Sequence, residues 1–166
     1  NPGNGKTRFS LQLAKYMALF CRIAINSLEE GLSFSMKRAF EQERMHEVKG
    51  RVILLDKEPI TDLIERLLKP KSPQVVIIDS FQYGGLNYND YKKLIRRFPR
   101  KLFVWISHAE GKEPAGRTAR SVKYDANVKI HIEGFRAHAI SRYGGGEPYT
   151  IWPEGAERYW GISNNN

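Results

Sequence analysis

The chain has 166 residues, with 27 Lys or Arg against 18 Asp or Glu, so its formal charge at pH 7 is +9. This length fits one domain, and the 41% hydrophobic and 27% charged residues are typical of a folded protein rather than a disordered chain. The single cysteine, Cys21, excludes an internal disulfide scaffold, and no apolar run is long enough to cross a bilayer. We therefore expect a cytoplasmic protein, since no charged-then-apolar leader is visible. An isoelectric point near 9.7 favours an anionic partner.

Helical and strand patterns alternate along most of the chain. Apolar side chains recur at the spacing of one helix face in residues 7–20, 32–48, 60–68 and 88–98. Strands are predicted at 22–26, 51–55, 74–79 and 102–107, and the last two are continuous apolar runs typical of strands buried on both faces. This alternation predicts an α/β fold, in which helices cover both faces of a mostly parallel sheet.

The pattern changes after residue 122. Three closely spaced strands are predicted at 127–133, 136–142 and 149–152, and we expect them to add antiparallel to one edge of the sheet. No Pro/Gly/Ser-rich linker divides the chain, so residues 1–166 are predicted to form one domain. The first motif begins at once, which leads us to expect a further strand before Asn1.

The strongest local signal is Asn-Pro-Gly-Asn-Gly-Lys-Thr at residues 1–7, followed directly by a helix. This is the P-loop pattern without its first glycine, and its glycines let successive backbone N–H groups point at phosphate oxygens. Lys6 is then expected to reach the β and γ phosphates, and the Thr7 hydroxyl to bind Mg²⁺. The candidate nucleotide contacts are Pro2, Gly3, Asn4, Gly5, Lys6, Thr7 and Arg8. The alternative is a chance turn that caps a helix.

Three further acidic residues lie at or just after the ends of predicted strands. Asp79 ends the apolar run 74–79, where open α/β sheets place their ligands, and it is a candidate for the Mg²⁺ side of the site. Glu29 and Glu30 follow the strand 22–26, where a carboxylate can orient a water against the γ phosphate. The alternatives are an Asp that caps a strand end, and two acids that favour the first turn of the next helix.

The ordered set of motifs resembles the RecA-like ATPases, most closely the RadA recombination proteins and the DnaB-type replicative helicases. The resemblance covers about residues 1–152. Ser-Leu-Glu-Glu at 27–30 is similar to the segment with the family's catalytic glutamate, which matches Glu29, and Ile-Asp-Ser-Phe-Gln at 78–82 is similar to its Mg²⁺-side strand end. The resemblance implies a RecA-like P-loop fold and ATP hydrolysis with Mg²⁺. It also implies action on DNA, with single-stranded DNA favoured, as a ring or filament of identical subunits.

Two more catalytic candidates come from this resemblance. His108 follows a strand as a histidine does in RadA, and we expect it to sense the γ phosphate or, alternatively, to be a structural histidine. Arg142 lies in Ser-Arg-Tyr-Gly at 141–144, which resembles a RadA motif, and it is expected to act in trans on the ATP of a neighbouring subunit. The alternative is an edge-strand arginine paired with Glu147 or solvent.

The segment 109–121 corresponds to a DNA-binding loop of RecA, and we predict a flexible loop there. It contains three cations that could neutralise phosphates, Lys112, Arg117 and Arg120. The alternative is a solvated loop over the nucleotide site.

The sequence therefore predicts an ATPase whose residues Lys6, Glu29, His108 and Arg142 are catalytic and whose Mg²⁺ residues are Thr7 and Asp79. A P-loop kinase that phosphorylates a small molecule is one alternative. The other is a binding module that holds ATP with negligible turnover.

Overall fold

A computed structural model describes residues 3–161 of the chain. The helices are α1 (Lys6–Met17), α2 (Phe34–Gln42), α3 (Ile60–Leu68), α4 (Tyr88–Arg97), α5 (Arg117–Asp125) and α6 (Pro153–Trp160). The strands are β1 (Ile23–Ser27), β2 (Val52–Asp56), β3 (Val75–Asp79), β4 (Leu102–Ile106), β5 (Ala109–Glu110), β6 (Glu113–Pro114), β7 (Val128–Glu133), β8 (Arg136–Ser141), β9 (Gly144–Gly145) and β10 (Tyr149–Thr150). Short 3-10 helices cover Met45–Val48 and Phe81–Gly84.

A parallel sheet of four strands, in the order β2-β1-β3-β4, forms the centre of the molecule. Side chains of β1 and β3 alternate between its two faces, and both faces are covered. One face packs against α1 through Leu11 and Ala14, and the other packs against α3 and α4 through Leu63, Leu67 and Leu94. The predicted α/β architecture, with helices on both faces of a parallel sheet, is confirmed.

Strand β4 is partly exposed, although its continuous apolar sequence predicted burial on both faces. In the part of the chain that the structure describes, β4 pairs with β3 along one side only. Leu102 is 48% exposed, and the side chains of residues 103–106 are all partly exposed. The prediction was wrong because an apolar run indicates that the residues favour a buried strand, but it does not determine how many strands pair with it.

The strands after residue 127 form a separate antiparallel sheet in the order β10-β8-β7, with β9 also paired to β8. We predicted that they would extend the parallel sheet, but no strand pairing joins the two sheets within residues 3–161. Their backbone groups pair among themselves, since β7 and β8 are in register over six residues. The sheet instead contacts α1 and the residues before it. Gln12 Nε2 donates to the Ile151 carbonyl at 3.1 Å, and the Phe135 N–H donates to the Asn4 carbonyl at 3.3 Å.

Residues 109–121, predicted as a flexible loop, are a hairpin followed by a helix. Strands β5 and β6 pair around Gly111, whose left-handed φ of 63° suits the tight turn. Helix α5 buries Ala119 and Val122 in a cluster with Phe81 and Tyr91, and this packing stabilises the segment. Helix α6 was not predicted either.

Helix boundaries differ most from the prediction in residues 32–48, where one helix was expected. The Ser33 hydroxyl accepts the Met36 N–H and caps α2, and Arg44 adopts a left-handed φ of 53°, which separates α2 from the following 3-10 helix. None of the helices within residues 3–161 is both long and apolar enough to span a membrane.

Candidate functional site

The segment that the sequence predicts as a P-loop, here called the P-loop segment, covers residues 3–7 of the described structure and runs into α1. Gly3 and Gly5 have φ values of 83° and 96°, a left-handed region that glycine enters without steric cost. Gly5 is the N-cap of α1 and Lys6 is its first residue, so the backbone N–H groups of this first turn lie at the positive end of the helix. The predicted contact Pro2 lies outside the described residues.

The carboxyl ends of the parallel strands bring the second part of the site together. Ser27 of β1 is in register with Asp79 of β3, which is in register with Ile106 of β4. The turn after β1 is fixed to β3, because the Leu28 and Glu29 N–H groups both donate to the Asp79 carbonyl, at 2.6 and 3.2 Å. Residues far apart in sequence thus share one edge of the sheet.

Glu29, His108 and Ser80 form a hydrogen-bonded group at this edge, which we call the strand-end group. His108 Nε2 lies 2.8 Å from Glu29 Oε2, and the Ser80 hydroxyl donates to the same oxygen at 3.3 Å. The Ser80 Oγ also lies 3.5 Å from His108 Nε2. Ser80 is completely buried, whereas the Glu29 and His108 side chains are 37% and 40% exposed. The carboxylate can therefore contact both protein and solvent.

Glu30 has a different environment from Glu29. Its Oε2 accepts hydrogen bonds from Ser35 at 2.7 Å and Ser33 at 3.3 Å, near the start of α2. Glu30 itself lies three residues before the N-cap Ser33, so neither acid occupies the first turn of the next helix, which the sequence offered as the alternative. The structure thus separates two adjacent glutamates, and it directs Glu29 towards His108.

One cavity of about 490 Å³ joins the P-loop segment to the strand ends. Eight of the predicted site residues line it, namely Gly3, Gly5, Lys6, Thr7, Arg8, Glu29, Asp79 and His108. Glu30 and Phe135 line it as well. Asn4 is buried beside it, with its side-chain oxygen 3.4 Å from the Gly134 N–H.

Asp79 has the most perturbed carboxyl group of the cavity. Burial, followed by the negative charges of Glu29 and Glu30, raises its pKa from 3.8 to about 6, against the opposing effects of Lys6 and His108. A bound cation would reverse this balance, since positive charge favours the ionised carboxylate. The Thr7 hydroxyl and the Asp79 carboxylate are oxygen ligands of the kind that Mg²⁺ takes alongside phosphate oxygens and water. Residues 3–161 contain no group of three His, Cys, Asp or Glu side chains that could hold a metal by themselves.

Arg8 lines the cavity and also contacts other side chains of the protein. Its Nε lies 2.6 Å from Glu43 Oε1, and its guanidinium stacks over the Trp152 ring at 5.3 Å. These contacts tie α1 to α2 and to the segment after β10. They hold the guanidinium in place beside the first turn of α1.

Arg142 lies away from the cavity, at the end of β8. Its N–H donates to the Asn127 carbonyl at 3.4 Å, and its side chain is exposed. A hydrogen bond from Tyr88 lowers the pKa of Asp125, and the charges of Lys92 and Arg142 act in the same direction. Arg142 is therefore near α4 and α5, and the structure does not bring it together with the strand-end group of the same chain.

The three predicted DNA contacts are all exposed, and within residues 3–161 they differ in whether an acidic side chain pairs with them. Lys112 is exposed at the turn of the β5–β6 hairpin, and Arg117 is exposed at the start of α5. Arg120 donates to Glu110 Oε2 at 3.0 Å and to the Pro114 carbonyl at 3.2 Å, so its charge is partly neutralised. The hairpin is attached to the site, since the Ala115 N–H donates to the His108 carbonyl at 2.8 Å.

Sequence reasoning missed Ser80 and Phe135 as members of the site. Ser80 directly follows Asp79 at a strand end, and this position alone could have drawn attention to it. Phe135 lies in a Gly-Phe turn between two strands, and nothing in that short pattern connects it with a P-loop more than a hundred residues earlier.

The chain matches no protein-family model, and no curated protein matches it.

Proposed function

We propose that this chain binds ATP with Mg²⁺ in the cavity beside α1 and hydrolyses it. The observation that carries the proposal is the convergence of Lys6, Asp79, Glu29 and His108 on one cavity. These residues come from segments up to about a hundred positions apart, and each has a chemical use in phosphoryl transfer. A chance P-loop sequence would have no reason to meet such partners.

Each residue has a distinct part in the proposed reaction. The N–H groups at the start of α1 and the Lys6 ammonium stabilise negative charge on the phosphates. Glu29 orients a water and accepts its proton as the water attacks the γ phosphorus. The bond from that phosphorus to the β–γ bridging oxygen breaks, and ADP leaves. Thr7 and Asp79 would hold Mg²⁺, directly or through water, and the ion would neutralise charge on the phosphate oxygens.

The hydrogen bond between His108 and Glu29 favours a low basal rate of ATP turnover. A glutamate bound to an imidazole is less available to a water, so we propose that activation includes loss of this contact. The alternative of a binding module with negligible turnover corresponds to a protein in which the contact persists with ATP bound.

We propose that single-stranded DNA provides this activation through the β5–β6 hairpin. Lys112 and Arg117 are exposed there, and they can neutralise phosphates. The hairpin reaches the site by two routes. Ala115 donates to the His108 carbonyl, and Gln82 Nε2 donates to both Ser107 Oγ and the Ala115 carbonyl. A shift of the hairpin would therefore move His108.

A RecA-like arrangement and a ring or filament of subunits complete the proposal. Within residues 3–161 one side of β4 is unpaired, which leaves room for a further strand in a RecA-like parallel sheet. Arg142 is exposed and does not line the cavity of its own chain, so we propose that it contacts the triphosphate of a neighbouring subunit.

The test is an ATPase assay of the wild type and His108→Ala, each with and without single-stranded DNA and Mg²⁺. We expect Mg²⁺-dependent turnover that DNA stimulates in the wild type and fails to stimulate in the variant. His138→Ala, a histidine of β8, is the matched control and should keep the stimulation. Absence of ATP binding by the wild type would contradict the proposal, whereas binding with negligible turnover would favour the binding module.

A further inference from the structure

Phe135 has an unusual backbone conformation for its type. Its φ of 59° lies in the left-handed region, which a bulky aromatic residue enters only when its surroundings hold it there. The residue forms the turn between β7 and β8, with Gly134 before it. Such conformations often persist at functional positions, and the contacts of this turn indicate what it holds.

The turn contacts the P-loop segment through three interactions. The Phe135 N–H donates to the Asn4 carbonyl at 3.3 Å, and the Gly134 N–H donates to Asn4 Oδ1 at 3.4 Å. The Phe135 ring packs on Gly5 so closely that a Cβ atom there would lie 3.0 Å from Cδ1 of the ring. The turn therefore contacts both the backbone and the side-chain space of the phosphate-binding segment.

Residues 151–160 also contact the turn and support it. The Phe135 carbonyl accepts the Ile151 N–H at 2.8 Å, and its ring meets the Trp152 ring edge to face at 5.0 Å. Trp160 Nε1 donates to the Gly134 carbonyl at 3.1 Å, which ties α6 to the turn. Phe135 is thus held by Ile151 and Trp152, while its ring and N–H also contact the P-loop segment.

We propose that the Gly134–Phe135 turn clamps the phosphate-binding segment and keeps its N–H groups in the arrangement that a triphosphate requires. Phe135 is a positioning residue, since it acts through Asn4 and Gly5. The inference rests on the proposed nucleotide function and extends it to the antiparallel sheet. Phosphate affinity then depends on a sheet that supplies none of the polar residues of the strand-end group.

The first experiment compares Phe135→Asn with Phe135→Leu. Asn tolerates a left-handed φ but loses the apolar contact with Gly5, whereas Leu keeps an apolar side chain there. We expect Phe135→Asn to lose about tenfold in affinity for both ATP and inorganic tripolyphosphate, and Phe135→Leu to stay within about twofold of the wild type. Tyr143→Ala, an 86% exposed aromatic residue beside β9, is the control and should bind both ligands normally.

Two results of this experiment would overturn the clamp. Unchanged affinity of Phe135→Asn would show that the ring does not support the phosphate-binding segment. Loss of affinity for ATP alone, with tripolyphosphate binding intact, would show that Phe135 contacts the base or ribose instead.

The second experiment measures amide hydrogen exchange in the nucleotide-free proteins. We expect Phe135→Asn to accelerate exchange at residues 4–9, including the Phe9 N–H that donates to the Gly5 carbonyl at 2.8 Å, and to leave β1 and β3 unchanged. Uniform acceleration, or none, would overturn the clamp. If the wild type bound neither ligand, the proposed nucleotide function would fail, while exchange would still decide whether the turn holds the segment.

Discussion

The parallel and antiparallel sheets contribute to the same cavity in different ways. The parallel sheet supplies ionisable side chains from the ends of its strands, among them Glu29, Asp79 and His108. The antiparallel sheet supplies an aromatic ring and two backbone N–H groups, which contact Asn4 and Gly5. Charged groups thus lie at the ends of the parallel strands, and the antiparallel sheet maintains the conformation of the P-loop segment. Residues of the parallel sheet would take part in the reaction, whereas those of the antiparallel sheet would position the P-loop segment. We therefore expect substitutions in the two groups to have different effects.

The largest effect is expected at the P-loop side. Lys6→Ala should abolish measurable ATP turnover and weaken ATP binding, because the charge that faces the β and γ phosphates is lost. Lys15→Ala is the matched control on the same helix, since Lys15 pairs with Glu47 away from the cavity. Turnover and binding are measured by phosphate release and calorimetry. Hydrolysis by Lys6→Ala at the wild-type rate would remove the P-loop interpretation.

Arg142 tests this division between the two sheets, because it would give the antiparallel sheet a chemical role. Arg142→Ala should lower turnover by about a thousandfold if the guanidinium stabilises phosphoryl charge in a neighbouring subunit. Mixed with Lys6→Ala subunits, it should regain part of the activity wherever an intact arginine meets an intact P-loop. Full activity of Arg142→Ala alone, or turnover by a proven monomer, would exclude action in trans.

Glu29→Gln tests the strand-end group itself. The variant should bind ATP with Mg²⁺ but hydrolyse it on the order of a hundredfold more slowly, the usual scale for loss of a positioned base. Glu30→Gln is the adjacent control, and it should have a small effect since Glu30 is bound to Ser33 and Ser35. Single-turnover rates would check both. A larger effect at Glu30 would shift the catalytic assignment by one residue.

The smallest effect concerns the pH dependence of stability. Because the pKa of Asp79 is raised from 3.8 to about 6, the folded protein binds this proton more tightly than the unfolded chain does. Ligand-free stability should fall as pH rises from about 4 to about 6, by roughly 2 kcal/mol after allowance for partial exposure. Asp79→Asn should remove most of this fall and weaken the Mg²⁺ dependence of ATP binding.

Urea denaturation at several pH values would measure that contribution. Asp62→Asn, an exposed acid in the first turn of α3, is the control and should leave the pH profile nearly unchanged. An identical fall in Asp79→Asn and the wild type would show that other groups cause it. An unchanged Mg²⁺ titration would indicate that Asp79 only ends its strand.

Much of the parallel half could be predicted from the sequence, because its signals are local and repeated. Apolar runs and helical periodicity placed β3 and α3 within about one residue of their observed bounds. Parallel pairing then requires the carboxyl ends of strands to meet, so Asp79 and the segment after β1 were expected at one edge. The cavity joins residues that the sequence had already singled out.

The rest depended on contacts that no local pattern encodes. Helix α5 is stabilised by burial of Ala119 and Val122, whereas the Pro-Ala-Gly sequence at 114–116 just before it is typical of a loop. The number of neighbours of β4 is a property of the assembled sheet. The contact of Phe135 with Gly5 joins positions 130 residues apart, and its left-handed φ is set by tertiary packing against residue preference.

The surroundings of Trp152 give the molecule an optical reporter. Its indole lies beside the Phe135 ring, and the guanidinium groups of Arg8 and Arg158 are 5.3 and 5.8 Å from its centroid. Trp105 is instead part of an aromatic cluster with Phe103 and Tyr91 in β4 and α4. Indole emission is sensitive to nearby charge, so a ligand that displaces Arg8 should change the fluorescence of Trp152 and leave that of Trp105 constant. Titration of the unlabelled protein with tripolyphosphate, compared with Trp152→Phe, would read the occupancy of the cavity directly from tryptophan emission.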